Sequence, residues 1–82
     1  MHGDAERVEH WFNGQWGMAR RDVLLERDPD GTWAVVGVTR WGQPREARVQ
    51  WRGLPEERAR RGVDYLIGWA PGPRSRWRPI SR

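Results

Sequence analysis

The 82-residue chain contains no cysteine. That absence removes disulfides, thiolate metal sites and a cysteine nucleophile together. Lysine is missing as well, so all 15 basic residues are arginine. No run approaches the roughly 18 apolar residues of a membrane-spanning helix, and no charged n-region followed by an apolar h-region marks a secretory leader. A soluble, cytoplasmic protein without membrane contact is expected. The two histidines, His2 and His10, lack the spacing of a metal-binding helix, and Ser75 and Ser81 have no histidine near them in sequence. No glycine-rich loop precedes a helix to cradle a phosphate. These absences predict a protein that is not an enzyme and uses neither cofactor nor metal.

Tryptophan, by contrast, is abundant, with seven residues beside one phenylalanine and one tyrosine. A domain of this length buries only about 60–65% of its unfolded surface, and each large ring supplies on the order of 150–250 Å² of burial. Most of the rings are therefore expected in the core. The net charge is +4 and is unevenly spread. Residues 1–30 hold four arginines and seven acids, a net of −3, whereas residues 31–82 hold eleven and four, a net of +7. A basic part of that size favours an acidic partner, nucleic acid above all, against the alternative of simply solvated arginines.

Along the chain, residues 1–7 read as a frayed, disordered terminus and 8–80 as one domain, with 81–82 a tail. "VEHWFNGQWGM" (8–18) sets Asn13-Gly14 between aromatic pairs, a hairpin signal because both residues tolerate positive φ. In "RRDVLLERDPDGTWAVVGVTRWG" (20–42), two apolar runs flank Asp28-Pro29-Asp30-Gly31, a turn in which Pro29 pre-sets φ and Gly31 closes the bend. The second run, Trp33 to Trp41, is apolar on both faces, as a covered central strand would be. "REARVQWR" (45–52) alternates, with Ala47, Val49 and Trp51 on one side and Glu46, Arg48, Gln50 and Arg52 on a wet one.

"LPEERARRGVDYLIG" (54–68) is the one helix. Pro55, Glu56 and Glu57 suit its first turn, and Ala59, Val63, Leu66 and Ile67 form one apolar stripe. Gly62 weakens it and allows a kink, and Gly68 is a C-terminal cap. "SRWRPI" (75–80) adds a short last strand through Trp77 and Ile80, or else a basic tail. The sum is an α+β fold, an antiparallel sheet of four or five strands with one helix packed on one face.

The order of strand, turn, strand ending in Trp-Gly, amphipathic strand, helix and aromatic-basic end resembles the WGR domain. The resemblance rests on "DVLLERDPDGTWAV", "RWGQP", "REARVQW", "LPEERA" and "SRWRPI", and covers roughly residues 20–80. It implies a nucleic-acid contact in which the signature tryptophan packs on the sugar-phosphate end of DNA beside basic residues. Trp41 and Gly42 match that motif, whereas Gln43 stands in the place of its arginine.

Independently of the resemblance, stacking rings interleaved with cations suit a nucleic acid. The candidate binding residues are Arg40, Trp41, Arg48, Arg52, Arg74, Arg76, Trp77 and Arg78. Trp41 reads first as a sheet residue. Trp77, between Arg76 and Arg78, is the better candidate for exposure, with intramolecular stacking on those arginines as its alternative. Arg58, Arg60 and Arg61 read as a solvated helix face. Nothing here reads base sequence, so binding is expected to be phosphate-dominated and weakly specific. The alternative function is a protein-interaction module presenting the same Trp/Arg surface to an acidic protein, or pairing head to tail as a homo-oligomer.

Overall fold

The computed structural model describes residues 5–16, 19–39, 46–69 and 76–80. Five strands and one helix follow in the order β1 (Glu6–Phe12), β2 (Arg21–Arg27), β3 (Trp33–Thr39), β4 (Glu46–Leu54), α1 (Glu56–Trp69) and β5 (Arg78–Pro79). All strand pairs are antiparallel, and the strands lie side by side in the order β4-β3-β2-β1-β5. The architecture is the expected α+β sheet with one helix on one face.

The β2–β3 turn forms as its residues dictate. Gly31 takes a φ of +88°, its N–H donates to the Asp28 carbonyl at 3.0 Å, and the Asp28 N–H donates to the Thr32 carbonyl at 2.8 Å. The Asp30 carboxylate adds bonds from the Thr32 N–H and hydroxyl at 2.9 and 2.7 Å. β3 is buried on both faces from Trp33 through Val36, and again at Val38. On the helix side Val23, Leu25, Trp33 and Val35 meet Ala59, Val63 and Ile67, with Leu66 packed at the margin. Burying side chains such as Leu25 and Val35 stabilises the fold by about 1.5–3 kcal/mol each. Leu24, Val36 and Val38 cluster on the opposite face.

Several expectations are corrected. Glu6 and Arg7 are not frayed: they pair with Arg27 and Glu26 as the start of β1. Asn13-Gly14 does not make a tight hairpin, because β1 pairs with β2 and the connection spans residues 13–20. Asn13 instead organises that connection through its side chain, donating to the Ala19 carbonyl and accepting from the Arg21 N–H, both at 3.0 Å. The helix runs unbroken through Gly62 and continues past Gly68 to Trp69, so Gly68 is not its cap. β3 ends at Thr39, and Arg40 and Trp41 lie outside the described residues.

The largest correction concerns β4. Trp33 pairs with Leu54, Val35 with Trp51, Val36 with Val49 and Gly37 with Arg48. Two extra residues therefore interrupt the strand, Gln50 and one of the Arg52-Gly53 pair, where Gly53 adopts a φ of +74°. Each one-residue bulge swaps the faces of the strand residues beyond it. Trp51 consequently shares the helix face with Val35 and Arg48, while Ala47 and Val49 face the other way. Arg48 and Arg52 do not form one wet face.

Candidate nucleic-acid interface

Only Pro55 separates β4 from α1, so the helix runs back along the sheet against the direction of β4. At 1.5 Å per helical residue and about 3.3 Å per strand residue, its C-terminal half reaches toward the end of the sheet that holds Arg48. Helical spacing sets Arg58, Gly62, Tyr65 and Trp69 along the flank facing β4. Gly62 makes close approach possible: a Cβ there would lie 3.0 Å from Cε3 and Cζ3 of Trp51. Trp51 thus leans directly on the helix backbone.

From Trp51 a row of rings extends outward. Trp51 and Tyr65 meet edge to face with centroids 6.0 Å apart, and Tyr65 and Trp69 follow at 6.4 Å, tilted by 49°. Exposure rises along the row, from 36% at Trp51 to 54% at Tyr65 and 72% at Trp69. Neither pair stacks face to face, so no two rings lie flat against one another. Tyr65 and Trp69 belong to the working surface on this geometry, although the helical stripe alone did not single them out. The signal available in the sequence was their i, i+4 spacing on the side of the helix away from Ala59 and Val63.

At the end of the sheet that holds the β2–β3 turn, acids neutralise arginines: Arg27–Glu6 at 2.6 Å, Arg61–Glu57 at 2.7 Å, and Arg60 with both Glu56 and Glu9 at 2.8 and 2.5 Å. Arg52 belongs to this end too, 3.8 Å from Asp28 across an open depression of about 510 Å³. The Arg60 guanidinium is pushed above its ordinary value chiefly by its bonds to Glu56 and Glu9. At the opposite end, where Phe12, Arg21, Thr39 and Glu46 meet, exposed Arg48, Arg76 and Arg78 make no ion pair among the described residues.

The predicted site residues are therefore divided. Arg48 lies on the same face of β4 as Trp51, Arg52 is drawn to Asp28, Arg78 opens β5 and Arg76 lies two residues before it. β4 and β5 are opposite edges of the sheet, four strand spacings or about 19 Å apart. Trp77 is not exposed: only 8% accessible, it belongs to the core cluster with Ile67 and Val23. Its arginine neighbours misled, since alternate residues of an extended chain face opposite ways. Arg40, Trp41 and Arg74 lie outside the described residues.

A second cluster escaped the sequence reading. Asp22, wholly buried, accepts from Arg20 Nε and Nη2 at 2.8 and 3.0 Å, and pairs with His10 Nε2 at 2.5 Å. The Arg20 guanidinium lies over Phe12 and Trp16, 4.3 and 5.0 Å from their centroids. This network fastens the 13–20 connection to the sheet face away from the helix. Asp22, Arg20 and His10 bond to one another, an arrangement that holds structure, while Trp16 at the margin stays largely exposed.

Among the described residues no group of three His, Asp or Glu side chains is placed to hold a metal, and no helix is long and apolar enough to cross a membrane. Comparison with known proteins found no matching family model, curated protein or solved structure.

Proposed function

We propose that this chain is a small, non-catalytic nucleic-acid-binding protein of the cytoplasm, WGR-like in its layout, with weak sequence preference. One observation carries the reading: the exposed row Trp51–Tyr65–Trp69 rises from the face of β4 that also carries Arg48, which makes no ion pair among the described residues. Aromatic platforms next to unneutralised cations are the two ingredients of phosphate-dominated, sequence-tolerant binding. At the other end of the sheet, acids that would repel a polyanion are tied into ion pairs.

Fluorescence anisotropy with labelled DNA and RNA at two salt concentrations tests the proposal. Binding at about 50 mM salt that weakens steeply by about 200 mM is expected. Absence of binding to either nucleic acid at the lower salt would sink it. The protein-interaction reading then takes its place. It is favoured by the outer edge of β4, unpaired among the described residues, where Val49 is half exposed, because such edges accept an added strand.

A further inference from the structure

We infer that the ligand is a single-stranded nucleic acid whose bases stack on Tyr65 and Trp69 while Arg48 meets its phosphates. The inference rests on the nucleic-acid reading above and narrows it. A duplex keeps its bases stacked on one another and, except at its two ends, offers only edges and backbone, so flat rings standing out from a helix gain little from it. Unstacked bases have free faces, and stacking tolerates any sequence because every base has one.

The geometry suits that exchange. The contacts at 6.0 and 6.4 Å are edge-to-face and tilted rather than flat stacks, and more than half of Tyr65 and Trp69 is exposed, most at Trp69, the outermost ring. The inner ring, Trp51, is held in place by Gly62 and Val35, so Tyr65 stands against a fixed neighbour. Fixing it in the free protein lowers the ordering cost of binding. Arg48 shares this face by register and has no acidic partner among the described residues, so its guanidinium is available to a phosphate. Val49, by contrast, lies on the other face of the strand and takes no part.

Four probes test this on the intact chain: oligothymidylate of about 12 nucleotides, oligouridylate of that length, a blunt duplex of that length, and the thymidylate strand with its bases removed. The natural single strands are expected to bind roughly tenfold or more tightly than either the duplex or the abasic strand, a margin of about 1.4 kcal/mol. A preference for thymidylate or uridylate tells DNA from RNA, and either supports the inference. Tyr65→Ala and Trp69→Ala should each cost roughly 5- to 150-fold on the single strands, as loss of about 1–3 kcal/mol of stacking per base implies, and almost nothing on the abasic strand. Both side chains are exposed, and unchanged thermal unfolding would confirm that the variants fold. If duplex and abasic strand bind as tightly as the single strands, and the ring variants change nothing, stacking is overturned while nucleic-acid binding stands. If none of the four probes binds, the broader reading falls with it.

Discussion

Trp51 lies against the backbone of Gly62, so close that a Cβ on that glycine would sit 3.0 Å from two atoms of the indole and 3.3 Å from Cγ2 of Val35. In an ordinary exposed helix, Gly→Ala stabilises by about 1 kcal/mol. Here the added methyl must push the indole outward, since Val35 is fully buried and has nowhere to go. Overpacking typically costs about 1–3 kcal/mol. Gly62→Ala should therefore bring no gain or a small loss in urea unfolding, but become stabilising once Trp51→Ala has removed the ring. A gain of similar size in both backgrounds would show that the indole does not hold that position.

The buried network makes a larger demand. Arg20 and His10 share the Asp22 carboxylate, which is closed off from solvent. Asp22→Ala leaves the Arg20 charge in place without this counter-ion, a change that costs about 3–5 kcal/mol in comparable sites. Total stabilities of small domains are about 5–15 kcal/mol, so the variant should unfold many degrees lower or fail to fold. Asp22→Asn keeps the shape and an acceptor, and should fall between it and the parent. A loss below about 1 kcal/mol for Asp22→Ala would mean that water reaches the cluster.

Gly14 tests whether β5 is fixed by the loop that it crosses. Its φ is +77°, and a Cβ there would come within 2.9 Å of the Arg76 carbonyl oxygen, a backbone atom that cannot swing aside. Gly14→Ala incurs both the left-handed strain and this collision. A loss of at least about 1–3 kcal/mol is expected, with earlier hydrogen exchange at the Ile80 N–H, which donates to the His10 carbonyl at 2.8 Å. Protection of that amide as in the parent would place the strain elsewhere.

Glu9 gives the fold an acid-sensitive contact. Partial burial pushes its carboxyl upward, but the Trp11 indole N–H at 3.0 Å and the Arg60 guanidinium outweigh that, so its net shift is downward. A carboxyl lowered on folding stabilises above its unfolded value, and that contribution is lost as pH falls through the folded one. The contact is partly exposed, so it is worth less than about 1 kcal/mol. The urea midpoint should drop less between neutral and acidic pH in Glu9→Gln than in the parent. Identical slopes would show that the pairing with Arg60 is too loose to matter.

How far the sequence revealed all this depended on the range of the interaction. The Asp28–Thr32 turn is local, set by proline, glycine and an Asx side chain within five positions, and it formed as its residues predict. The two-faced burial of β3 and the Ala59-Val63-Ile67 stripe are periodic patterns and were equally legible. Alternation assumes an unbroken strand, so it misplaced Trp51. The lone glycine in "QWRGL" was the available sign of a bulge, since an isolated Gly within a strand pattern marks one. The His10–Asp22 contact and the burial of Trp77 depend on strand order and on register between distant segments. Composition around each residue carries no trace of either.

The division of the arginines between two sheet edges yields the last prediction. Arg48 stands with the rings on the β4 side, whereas Arg76 and Arg78 lie about 19 Å away across the sheet, beside β5. Each arginine that meets a phosphate on a single strand contributes about 0.7 to the slope of log affinity against log salt. If the strand is held at the ring row, Arg48→Ala should lower that slope by about this amount, for long and short oligonucleotides alike. Arg76→Ala and Arg78→Ala should leave it unchanged for short oligonucleotides and lower it only for those long enough to cross the sheet. A slope that falls with the β5 arginines on the shortest strand, and not with Arg48, would put the binding surface at the other edge.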